Sequence, residues 1–155
     1  MNTVVKTKKT LIKENKNKID SIKMKFTNYE RDLSIVEEKE KIILDLENRM
    51  LRLNSPNLAD IKHNSNVTLI DLIDNRDKAI NKLHSMSEYQ LVKEVEEYLE
   101  LMSTEERTIL ANKFFSHISY GKLSYKLNYS QTRMFNIVNE IVLNIVLSQE
   151  ETIDT

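Results

Sequence analysis

The chain has no cysteine, no tryptophan, one glycine and one proline, and each scarcity removes a class of structure. Without thiols there is neither a disulfide framework nor a thiolate metal site. The three histidines, His63, His84 and His117, are too scattered to show ligand spacing, so no metal and no other cofactor is expected. One Gly and one Pro leave little turn chemistry for a β-rich fold and none for a Gly-rich phosphate loop. The first apolar segment is interrupted by Lys6, Lys8 and Lys9, and nowhere do about 18 apolar residues follow one another. Neither a secretory leader nor a membrane span is expected, and the protein reads as cytoplasmic. No Ser-His-acid arrangement is supported by spacing and the carboxylates follow helical surface positions, so it reads as a non-enzyme.

What is present is material for helices. With 155 residues, 40% hydrophobic and 30% charged, the chain can bury a core in one ordinary domain or two small helical pieces, and the expected fold class is all-α. The net charge of −1 hides an uneven distribution. Residues 1–25 carry eight Lys against Glu14 and Asp20, residues 26–102 carry ten basic against sixteen acidic side chains, and residues 103–148 carry five basic against three acidic. Basic character therefore sits at the two ends. A Lys-rich amino terminus is either a solvated, frayed end or an arm that touches phosphates.

From Ile12 onward, Ile19, Ile22, Phe26, Tyr29, Leu33, Val36, Ile43 and Met50 recur in steps of three and four, with Asn15, Glu40 and Glu47 filling the register. This heptad seam predicts a long helix that must pair with another. The stretch LNSPNLADIKHNSNV, 53–67, breaks the period and holds the only proline, which marks a hinge or interhelix connection. A second long helix is expected from Thr68, where Asp71 can close a capping box, through Met102. Folded back across the hinge it would lie antiparallel to the first, coiled-coil-like, and residues 1–102 would form one region.

A separate module is expected over 103–148. Ser103 and Glu106 form a Ser-x-x-Glu capping box, Ile109, Leu110 and Phe114 share one face, and Ser119 caps a short helix that turns Tyr120, Leu123 and Leu127 inward. Asn128 occupies the position after that helix where a left-handed backbone is needed, and Ser130 caps the next helix. A short helix, a three-residue turn and a longer helix are the layout of a helix-turn-helix. With Met134, Ile137, Val138 and Ile141 facing the core, Gln131, Thr132, Arg133 and Asn136 fall outward in the first turns of the second helix, where such a helix meets base edges. Arg matches a guanine edge, Gln or Asn an adenine edge, and the Thr methyl a thymine methyl. Lys122, Lys126 and the free N–H groups at Ser119 and Ser130 are placed to hold flanking phosphates.

The segment STEERTILANKFFSHISYGKLSYKLNYSQTRMFNIV resembles region 4 of bacterial sigma-70 factors, through Glu105, Glu106, Phe114, Phe115, Ser119, Tyr120, Leu123, Leu127 and Ser130. Ser124 stands where that family usually has Ala, and Asn128 where it has Gly. Placed behind a heptad-rich region and a hinge, the module is similar to the small phage late-gene regulators of the ArpU and RinA type. That resemblance implies a sequence-specific DNA-binding transcriptional regulator, a phage or prophage activator of packaging, structural or lysis genes; its expected partner is double-stranded DNA, and RNA polymerase is a further candidate that the sequence leaves open.

The sequence EIVLNIVLSQ is apolar nearly all round its helix. Packing against the amino-terminal helices would satisfy it. The expectation leans instead to a homodimer interface over Ile141, Val142, Ile145 and Val146, since proteins of this layout commonly pair on two half-sites. Residues 149–155 read as a flexible tail. Two other functions fit the same pattern: the small subunit of a phage terminase, which joins similar parts in the opposite order, and a helical interaction protein that binds a host protein such as RNA polymerase.

Overall fold

A computed structural model describes residues 6–53 and 68–153, and among them every regular element is helical. Helix α1 (Lys8–Glu14) is followed at Asn15 by α2 (Lys16–Leu53), then come α3 (Leu69–Ser85), α4 (Ser87–Glu100), α5 (Thr104–Leu110), a single π-helical turn (Ala111–Phe115), α6 (Tyr120–Leu127) and α7 (Gln131–Ile153). The expected all-α class is what the chain adopts. Among the described residues no helix is long and apolar enough to cross a membrane. The hinge expected over 53–67 lies, from residue 54 on, outside the described residues.

The caps form as the side chains dictate. Thr68 accepts from the Asp71 amide while Asp71 accepts from the Thr68 amide, and Ser103 and Glu106 close the same reciprocal box. The expected single helix from Thr68 to Met102 is corrected to two. Met86 takes extended geometry (φ −72°, ψ 138°), its amide bonding the Leu83 carbonyl, and Gln90 Nε2 donates to the His84 carbonyl across the break. Ser85 and Ser87 flank that residue, and serine competes for backbone partners and so favours helix ends over interiors.

The chain divides into two compact units, one of Met1–Glu30 with Glu94–Thr155 and the other of Arg31–Lys93. In the second, Val36, Leu72, Leu83 and Val92 are buried, and so is Asp32, whose Oδ1 accepts from the Arg31 guanidinium at 3.3 Å. In the first unit the start of the long helix shares a core with the carboxyl-terminal helices. Ile19, Ile22 and Phe26 are buried together with Val95, Tyr98, Met102, Leu110, Phe114, Leu123, Met134, Val138 and Val142. Phe26 sits in an aromatic cluster, its ring centroid 5.9 Å from Phe114, 6.2 Å from Tyr98 and 6.3 Å from Phe115.

This core revises the expected division at residue 102. The module of 103–148 does not enclose its own core but is completed by residues 6–30 and by the end of α4. The same packing answers where the apolar stretch of α7 goes. Ile141, Val142, Ile145 and Val146 are 5%, 0%, 4% and 1% exposed within the single chain. They are corrected from interface to core, because a side chain with no surface left has none to offer a second copy. The tail is corrected too: α7 runs to Ile153, with Gln149 Nε2 donating to the Tyr98 hydroxyl at 2.6 Å and Lys18 pairing with Glu150 at 2.8 Å.

Candidate functional site

The site is built on α6, the turn after it and the start of α7. Ser119 caps α6 by accepting from the Lys122 amide at 3.3 Å. Asn128 ends that helix in the left-handed region (φ 61°, ψ 36°), its amide returning to the Ser124 carbonyl. Ser130 then caps α7 by accepting from the Arg133 amide at 3.1 Å. Leu123, Met134 and Val138, each fully buried, pin the two helices to the core. Their burial fixes the rotation of α7 about its own axis, and that rotation decides which side chains face outward.

Gln131, Thr132, Arg133 and Asn136 all lie exposed in the first turns of α7. Gln131 and Thr132, with Tyr120 and Phe135, line a hollow of about 280 Å³. Thr132 and Asn136 also line a neighbouring hollow of about 410 Å³, whose other walls are Lys8, Lys9, Ile12, Phe135, Asn139 and Glu140. Arg133 stands on the flank, its Nη1 4.0 Å from Glu140 Oε1, a loose tether on a side chain that is more than half exposed. Beyond Asn136 the Thr132 side of that face is buried at Asn139 and Leu143, while on the Arg133 side Glu140 is half-buried and Asn144 exposed. The four expected side chains lie within about the first one and a half turns of α7.

Of the side chains expected to hold phosphates, Ser119, Lys122, Lys126 and Ser130 are all exposed. The two hydroxyls already accept from their own helices, and Lys126 Nζ lies 3.4 Å from Asn112 Oδ1. The lysines and the amides of the first helical turns remain the donors for an anion.

Several residues of this surface were not singled out by the sequence. Phe135 is 46% exposed on the outward face, edge-on to Tyr120 at 5.4 Å, with Lys23 Nζ 5.1 Å from its ring centroid. Lys113 Nζ lies 4.2 Å over the Tyr120 ring. Lys23 also donates to the side-chain carbonyl of buried Asn139. Burial pushes the pKa of the Lys23 ammonium down, the Asp20 carboxylate opposes that, and the Lys113 charge adds to it. Burial alone pushes the Tyr120 phenol up. An aromatic residue inside a helical pattern is ordinarily counted as core, but the position of Phe135 four residues after Gln131 was a signal that it faces outward. Lys8, Lys9 and Lys23 come from the far end of the chain, and only tertiary packing brings them here.

Chemically, the surface offers amide, hydroxyl and guanidinium groups on a narrow helical ridge, bordered by ammonium groups and aromatic rings. Among the described residues no group of three His, Asp or Glu side chains is placed to hold a metal ion. No protein-family model, curated protein or solved structure matches this chain.

Proposed function

We propose that the protein is a sequence-specific duplex-DNA-binding regulator of transcription, of the phage late-gene kind, with α6, the Asn128 turn and α7 acting as a helix-turn-helix. The observation that carries the reading is the exposed ridge of Gln131, Thr132, Arg133 and Asn136 on a helix whose opposite face, Met134, Val138, Ile141 and Val142, is locked in a core. A major groove is about 12 Å wide and admits one helix, with the residues of its first turns meeting base edges. In this reading Arg133 takes a guanine edge, Gln131 and Asn136 take adenine edges, and Thr132 touches a thymine methyl. Lys122 and Lys126 on α6 hold the adjacent backbone, setting the register without reading sequence. Regulation follows if the bound protein also meets RNA polymerase.

The test is selection of duplex fragments by the purified full chain, followed by titration of a selected site and a scrambled duplex across a salt series. The expected result is a site-specific complex whose affinity falls as salt rises, because displaced counterions return to the DNA. Failure to bind any duplex at low salt would overturn the reading.

A further inference from the structure

We propose that α1 is a second DNA-contacting element, a backbone clamp in which Lys8 and Lys9 hold phosphates of a strand that borders the groove occupied by α7. The inference rests on the DNA-binding reading above and assigns to it a surface outside the helical hairpin. Helix α1 packs alongside α7, anchored by partly buried Leu11 and Ile12. Lys8, Lys9 and Ile12 form one wall of the same 410 Å³ hollow that Thr132 and Asn136 line from the other side. An α-helix with its side chains is about 10–12 Å across, close to the width of the groove, so two helices side by side cannot both enter it. With α7 inserted, its neighbour must lie over the rim, and a rim offers phosphates.

The charges of α1 suit that place. Its one carboxylate, Glu14, is paired with Lys6 at 2.9 Å, while Lys8 and Lys9 are exposed and neither pairs with a carboxylate among the described residues. Ammonium groups on flexible stems serve as point charges toward phosphate rather than as readers of base edges. The carboxylate that lines the same hollow, Glu140, lies 4.0 Å from the Arg133 guanidinium rather than against Lys8 or Lys9. Lys23, under Phe135 and hydrogen-bonded to Asn139, is engaged in the fold and is not part of the clamp.

The experiment compares the unaltered 155-residue chain with Lys8→Ala/Lys9→Ala and Lys8→Arg/Lys9→Arg, titrating each with its selected duplex and a scrambled one between about 50 and 200 mM salt. Each lost phosphate contact lowers the slope of log K against log salt by about 0.9, so the double Ala variant is expected to lose about 1.8. Its affinity should fall by the same factor for both duplexes, its thermal melt should match the parent's, and the Arg variant should restore the slope. An unchanged slope in an Ala variant that still finds its site overturns the clamp and leaves the DNA reading standing. A loss confined to the selected duplex also overturns it, since phosphates carry no sequence. No duplex binding by the unaltered protein removes the underlying reading instead.

Discussion

The Tyr98 hydroxyl donates to Glu94 Oε1 at 2.5 Å, and the same carboxylate oxygen accepts from Lys25 Nζ at 2.7 Å. One oxygen thereby joins α2 to α4, while Gln149 of α7 donates to the Tyr98 oxygen and extends the link to a third helix. Burial raises the Glu94 pKa, but the hydrogen bonds from Lys25 and Tyr98 and the Lys25 charge outweigh it, and the net result lies below the ordinary 4.5. Tyr98 is pushed well above its ordinary 10.0 by burial first and by its bond to Glu94 second.

Stability is therefore expected to fall at both ends of the pH scale. Below pH 4.5 the unfolded chain takes up a proton that folded Glu94 resists, so its contribution is complete above that pH and is lost as pH drops through the lowered folded value. Above pH 10.0 the unfolded chain releases a proton that folded Tyr98 keeps, so stability declines as pH climbs toward the raised folded value. Lys23 acts in the opposite sense just below 10.5, because its folded pKa is lowered and the penalty of burying its charge is relieved as pH rises. Thermal melts followed by circular dichroism against pH separate these. Glu94→Gln should flatten the acid limb and Tyr98→Phe the alkaline one. A Tyr98→Phe profile parallel to the parent's above pH 10 would remove the alkaline assignment.

Local features of this fold were legible because they depend on neighbours a few residues away. The boxes at Thr68 and Ser103, the caps at Ser119 and Ser130 and the left-handed Asn128 all follow from side-chain chemistry within one turn of helix. The outward ridge of α7 was legible for a related reason, since alternation with Met134, Ile137 and Val138 fixes it. Partner choice was not legible. Nothing in Ile141 or Val146 says whether Ile19 of the same chain or a second chain will cover them, because burial of apolar area is non-directional. The seam itself shows the limit of a strict heptad: helix rotation of about 3.6 residues per turn drifts against a period of 3.5, and Asp32 beside the expected Leu33 is the side chain that ends buried.

The shared core makes a prediction about fragments. Phe26 is fully buried against Tyr98, Phe114 and Phe115, all of which lie after residue 93. Phe26→Ala is expected to cost about 3–5 kcal/mol in urea unfolding, the range for emptying a large aromatic site. A fragment of residues 94–155 lacks Ile19, Ile22 and Phe26 and is expected to show helical far-ultraviolet dichroism without a cooperative melt. Cooperative melting of that fragment at the parent's midpoint would show that the helical hairpin folds without α2.

Among the described residues, two that are not glycine hold left-handed backbone, His117 at φ 54° and Asn128 at φ 61°. For an L-residue with a Cβ that region costs about 1–2 kcal/mol, less for Asn, whose short polar side chain tolerates it. Asn128→Ala is expected to lose about 1 kcal/mol, and Asn128→Gly and His117→Gly to be neutral or to gain less than about 1 kcal/mol. Denaturant midpoints with an unchanged slope are the measurement, and a stabilising Asn128→Ala would contradict the observed turn.

Arg133 provides the sharpest check on the face assigned to DNA. Its side chain is more than half exposed and only loosely held by Glu140 at 4.0 Å, so Arg133→Ala should leave the thermal melt within about 0.5 kcal/mol of the parent. At a selected duplex site the same change is expected to cost about 1–3 kcal/mol and to relax preference at a single base pair, as loss of a bidentate guanine contact does. Lys126→Ala should instead weaken selected and scrambled duplexes alike, because its partner is a phosphate. Both follow from which way α7 is turned, and Met134 and Val138, with no exposed surface, fix that turn. If Arg133→Ala titrates the selected site with the parent's affinity while Lys126→Ala does not, then α7 lies against the backbone and the groove is read by some other element.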